Sequence, residues 1–167
     1  MATVSQLLLP EEAQFLGSSF AQFNKVNGTN LPVASLAYDA AATEYAFWKW
    51  VAFNYGSGNI TADLVWYADT ASTGVVRWEV AMAAITPDAD TQDVETDTLA
   101  TAQTVDDTHL GTVGQRLHRA SVAIVGLDSV AAGDECWLRV GRIGGNAADT
   151  MAGDVLLTSV RLSYSDT

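Results

Sequence analysis

From Leu31 onward, apolar and polar residues alternate in short runs, and no long stretch keeps a helical period. A period of two puts successive side chains on opposite faces of a β-strand. Eight runs fit this pattern: 31–38, 44–53, 60–68, 74–85, 98–105, 116–125, 135–143 and 155–164. The separators include Asn54-Tyr55-Gly56-Ser57-Gly58, Pro87-Asp88, Gly126 to Gly133 and Gly144-Gly145-Asn146, which is turn chemistry. Regularly spaced strands without crossover helices predict an all-β protein, an eight-stranded antiparallel jelly-roll β-sandwich.

The alternation also predicts the core. In 74–85, Val76, Trp78, Val80, Met82 and Ala84 share one face, with Arg77 and Glu79 on the other. By the same rule Ala120, Val122 and Ile124 point inward, as do Cys136, Leu138 and Val140, and then Leu156, Val160, Leu162 and Tyr164. The 44–53 run departs from this pattern, because Tyr45, Phe47, Val51 and Phe53 oppose Ala46, Trp48, Trp50 and Ala52 and both faces are apolar. An N-terminal arm, a second subunit, or a ligand stacking on Trp48 and Trp50 would each cover the extra face.

Residues 1–30 read differently from the 31–167 sandwich. Leu7, Leu8 and Leu9 precede Pro10-Glu11-Glu12, where proline and first-turn acids predict a short helix that Gly17 ends. Phe15, Phe20 and Phe23 then stand among Gly, Ser, Gln and Asn, too irregular for an amphipathic helix and too aromatic for a free linker. The segment is expected to dock, on its own domain or on a partner. Its opening residues, with no basic run and only three consecutive leucines, do not read as a secretory signal.

Charge narrows the function. Eight Lys and Arg against twenty Asp and Glu give a net charge of −12, which repels a nucleic-acid backbone. No apolar run is long enough to cross a membrane as a helix. Eight acids fall in 78–115, which holds no Lys or Arg and reads as a solvated loop region. Calcium is the alternative there, although Asp88 to Asp93 lacks the glycine and terminal glutamate of an EF-hand loop. Asp149 and Asp154 form a second, weaker cation candidate.

Catalytic signals are sparse. His118 alternates with the inward Ala120, and His109 falls in the acidic region. Cys136, the single cysteine, alternates with Leu138 as a buried residue would, and no Gly-x-Ser-x-Gly elbow or phosphate-binding loop occurs. The expectation is a non-enzyme with no catalytic residue, no cofactor and no metal ligand.

The strand text of Leu36-Ala37-Tyr38-Asp39, Thr43 to Trp48, Val75 to Val80, Ala131-Ala132-Gly133-Asp134, Asp149 to Asp154 and Val160 to Tyr164 resembles the small jelly-roll virion proteins of tailed bacteriophages. The likeness spans residues 36–164 and carries no catalytic signature. It implies a capsid decoration (cement) protein at the virion surface, a homo-oligomer and commonly a trimer, whose terminal arm clamps the major capsid protein. The docking or subunit-interface residues would be Leu7, Leu8, Leu9, Phe15, Phe20, Phe23, Trp48 and Trp50. A tail-fibre tip or a carbohydrate-binding jelly-roll module is the alternative.

Overall fold

The computed structural model describes residues 2–167; Met1, the first residue of the expected arm, lies outside them. Ten strands are present: β1 Thr3–Leu8, β2 Gln22–Val26, β3 Val33–Tyr38, β4 Thr43–Val51, β5 Ile60–Ala68, β6 Gly74–Ile85, β7 Gln103–His109, β8 His118–Ile124, β9 Glu135–Ile143 and β10 Val155–Ser165. One sheet runs β2-β3-β10-β5-β8, with β1 also pairing β10, and the other runs β4-β9-β6-β7. All strand pairs are antiparallel. The fold is an all-β jelly-roll sandwich.

Seven strands match seven of the alternating runs closely, β7 overlaps the eighth only in part, and the other two strands come from the N-terminal segment. β1 lies along Val160–Ser165 of β10 while β3 takes the Val155–Leu157 stretch of the same edge. The expected helix is reduced to one 3-10 turn, Pro10–Glu12, with the Leu9 amide donating to the Glu12 carboxylate at 3.3 Å. Beyond it the chain follows the outer edge of β4. The Gln14 amide donates to the Phe47 carbonyl and the Phe47 amide to the Gln14 carbonyl, at 2.8 and 3.0 Å. Tyr45 and Ala21 continue the edge through the Ser19 and Tyr45 carbonyls.

The inward faces meet in one core. Trp48, Trp66 and Trp78 are each no more than 1% exposed, and Leu36, Ile60, Leu64, Leu138 and Leu162 fill the space around them. Trp78 meets Tyr38 edge-on at 5.3 Å and Trp66 at 6.1 Å, the offset geometries that aromatic quadrupoles favour.

Two local departures from the sequence reading have physical causes. The 98–105 run was placed early: the strand is Gln103–His109, because inward Asp107 finds a donor in Trp66 Nε1 at 2.8 Å and outward Asp106 forms a two-point pair with Arg77 at 2.7 and 2.8 Å. In β10 the register shifts between Leu157 and Ser159, so Val155 and Leu157 point inward above the bulge and Val160, Leu162 and Tyr164 below it. Leu156 therefore belongs to the opposite face from Val160.

At one end the sheets are locked by Arg142 on β9, whose guanidinium and the Asp149 carboxylate are both fully buried. Nε and Nη2 donate to Asp149 at 2.9 and 2.8 Å, Nη1 to the Tyr38 and Gly153 carbonyls at 3.3 and 2.8 Å, and Nη2 to Met151 at 2.5 Å. Asp149 is thereby spoken for, which corrects the cation candidate formed with Asp154. Arg142→Met would strand the carboxylate in the interior and lower stability by about 3–5 kcal/mol in urea unfolding.

The N-terminal strand contributes to the same core through Leu8, 5% exposed, and the Leu9 carbonyl accepts the Trp48 indole N–H at 2.8 Å. Leu7 on the opposite face is 58% exposed. Leu8→Ala is expected to cost about 2–5 kcal/mol and Leu7→Ala less than about 0.5 kcal/mol, compared by chemical denaturation.

Candidate functional site

The residues singled out as an adhesive surface divide into a buried group and an exposed one. Trp48 and Trp50 are 1% and 4% exposed and face the opposing sheet, so their rings are closed to a ligand or a second subunit. The sequence pattern was right that β4 is apolar on both faces, but the tryptophan face is the core and the Tyr45 and Phe47 face is the outer one. Leu8 is core, whereas Leu7, Leu9, Phe15, Phe20 and Phe23 remain exposed, with Phe15 and Phe20 packed on each other at 6.0 Å.

The outer face of the β4-β9-β6 sheet carries the concave surface instead. Register sets its floor: Lys49, Trp137 and Ala83 stand in one row across the three strands, and Phe47, Arg139 and Ala81 in the next. A small alanine beside Trp137 leaves the flank of the indole uncovered, and the ring is half-buried. Gln14, Phe15 and Leu16 of the N-terminal segment make one wall, and the stretch from Val94 to Ala100 makes the other. Together they enclose a groove of about 720 Å³.

The wall from 86 to 102 holds its shape through its own acids. Asp90 accepts from the Thr86 amide at 2.7 Å, Asp93 from Glu95 at 3.0 Å and Asp97 from Thr98 at 2.8 Å. These carboxylates cap turn amides, as short acidic side chains do. Among the described residues no group of three or more His, Cys, Asp or Glu side chains could hold a metal ion. The Ala100 amide, donating to Met82 at 2.8 Å, ties the wall back to β6.

Charge in the groove is mostly paired. Arg139 bonds Glu79 on the neighbouring strand and lies 4.3 Å from the Tyr45 ring centroid. Tyr45 reaches that position because residue 141 is glycine; a Cβ there would stand 2.4 Å from the tyrosine ring. Lys49 sits 5.5 Å from the Trp137 centroid and pairs with Glu135 at 2.8 Å. Glu95 and Asp97 add carboxylates to the far wall, and Asp97 Oδ2 accepts no hydrogen bond. An aromatic floor bordered by fixed hydrogen-bonding groups can take a ligand with one flat apolar face and many hydroxyls.

Trp137 was the signal missed in the sequence. It has the opposite parity to Cys136, Leu138 and Val140, so the alternation that puts those three in the core puts the indole outside. Of five tryptophans, Trp48, Trp50, Trp66 and Trp78 are at most 4% exposed, which leaves Trp137 as the one outside the core.

The former catalytic candidates lie elsewhere. His109 is the last residue of β7 and fully buried, not part of an exposed loop, and it packs against the inward-facing His118.

No protein-family model matches the sequence, and no curated protein matches it. Among solved structures the chain is similar to a family 35 carbohydrate-binding module from Clostridium thermocellum, at 13% identity over 95% of this chain and 97% of that one, with a TM-score of 0.55. It is also similar to the CBM36-1 domain of a multidomain xylanase from the hindgut metagenome of Trinervitermes trinervoides, at 7% identity over 95% and 96% of the two chains, with a TM-score of 0.51. At these identities the likeness defines a shared fold, the jelly-roll sandwich.

Cys136 is fully buried beside Asp134, and burial, with the Asp134 and Glu135 charges, pushes its thiol up to about 12. A thiol held protonated is a poor nucleophile. Ellman's reagent at pH 8 is expected to leave the native protein unlabelled and to label one thiol per chain in denaturant.

Proposed function

We propose that this chain is a non-catalytic carbohydrate-binding module that takes a glycan in the groove over Trp137. The observation that carries the reading is the single tryptophan outside the core, set on the groove floor beside Phe47 and between walls that supply Gln14, Glu95 and Asp97. A pyranose ring offers such a floor a flat face of C–H groups and offers the rim its hydroxyls. The net charge of −12 and the rim carboxylates disfavour sulfated or uronic-acid glycans, so a neutral polysaccharide fits best. The sandwich shared with modules whose described role is to bind carbohydrate supports this reading.

A second reading keeps the virion decoration role and the homo-oligomer, and one observation favours it. The N-terminal segment presents Phe15, Leu16 and Phe20 along the outer edge of β4 and Phe23 on β2, each at least 40% exposed. That surface suits a protein partner such as a capsid shell or a second copy of the chain. It does so without release of the whole segment, since β1 and β2 are strands of the sheet.

Affinity electrophoresis in gels containing neutral polysaccharides separates the two. The groove reading expects retardation by at least one of β-glucan, xylan or mannan, and a loss of at least about 30-fold in affinity for Trp137→Ala. Phe20→Ser and Phe23→Ser should bind glycan normally. Absence of retardation by any neutral polysaccharide, or normal binding by a folded Trp137→Ala protein, would refute it.

A further inference from the structure

We propose that His109 and His118 form a two-imidazole site for a first-row transition-metal dication, bound most tightly as Cu²⁺, at the edge where the two sheets meet. This site is separate from the groove and stands whether or not a glycan binds there. The chain's two histidines are distant from any motif in sequence, yet the fold brings them together. β7 is an edge strand of one sheet and β8 an edge strand of the other, joined through 110–117, and the imidazole centroids are 4.7 Å apart.

The hydrogen bonding prepares these rings as ligands. His109 Nδ1 lies 2.9 Å from the Ser72 carbonyl oxygen, an acceptor only; in the tautomer that donates Nδ1–H to this carbonyl, Nε2 keeps its lone pair. The Gly111 amide donates to the same Nδ1 at 3.2 Å, a longer contact that the other tautomer satisfies. A ring whose N–H is held by a backbone carbonyl is the usual support for a metal-binding imidazole. His109 is fully buried, and the Nε2 atoms of both histidines are buried with no hydrogen-bond partner. Two unpartnered nitrogens on adjacent rings inside a packed protein call for an occupant.

Distance and charge agree. A cation about 2 Å from each of two imidazole nitrogens, bound at adjacent coordination positions, sets the ring centroids roughly 4.5–5 Å apart. The inward Asp107 supplies negative charge, its Oδ2 held by Trp66 and its Oδ1 by the Thr108 amide at 3.0 Å. Burial and the neighbouring His109 hold the His118 imidazole below the ordinary histidine range; Arg116 acts in the same direction and Asp107 opposes it. Two nitrogens with no third protein ligand leave positions for water, unlike a closed structural zinc site, and nitrogen donors at a given site favour Cu²⁺ over Ni²⁺ and Zn²⁺.

The test is a Cu²⁺ titration of the untagged full chain, followed by tryptophan fluorescence and electron paramagnetic resonance. Trp66 lies 6.0 Å from His109 and 5.0 Å from His118, close enough for Cu²⁺ to quench it. One equivalent should bind, with nitrogen hyperfine structure from two imidazoles and with weaker uptake of Ni²⁺ and Zn²⁺. His118→Phe should reduce the affinity at least about 10-fold. A spectrum with oxygen ligands alone, equal binding by a folded His118→Phe protein, or no binding would each overturn the proposal. The nitrogen count of the unmodified protein decides the matter if the variant does not fold.

Discussion

A guanidinium shut away from water is the constraint around which this sandwich closes. Arg142 is tolerable in the interior because Asp149 neutralises it and three backbone carbonyls take its remaining protons. Those acceptors come from β3, from the 146–154 turn and from the residues leading into β10, so one side chain fixes where β9 and its neighbours end. Its position also sets the phase of β9. With Arg142 inside, Val140, Leu138 and Cys136 are inside as well, and Arg139 and Trp137 are turned to the outer face. The chemistry of the groove follows from that alternation.

The aromatic residues divide by task. Trp66 and Trp78 meet within the core, Trp48 closes it against the N-terminal segment, and Trp137 is left to the surface. The outer face of β4-β9-β6 is then neither a wet polar sheet nor a sticky apolar one. Alanines beside Trp137 and Arg139, and glycine at 141, lower the surface locally so that tyrosine and arginine side chains can lie flat across it.

Strand positions were legible from a period of two because each inner face is buried and each residue step changes sides. The reading failed where that logic was interrupted. In β10 a bulge changes the parity midway, and nothing in the run from Val155 to Tyr164 marks the place where it does so. The N-terminal strands were missed because β1, sharing an edge of β10 with β3, buries only part of one face, and Thr3 to Leu8 carries a weak pattern. β2, an edge strand with no fully buried residue, carries none. Of the site, Trp137 was readable from parity alone, as was the inward charge of Arg142. The walls were not, since Gln14 and Asp97 reach the groove through loops whose course depends on tertiary contacts.

The pairing of residues 14–21 with β4 has a consequence for how molecules meet one another. An open strand edge is a template for strands from neighbouring chains, and proteins commonly cover it. Here the cover is the same stretch that builds one side of the groove. Whatever loosens that stretch deforms the groove and bares an aggregation-prone edge in a single event, so the shape of the groove and the protection of the edge depend on the same residues.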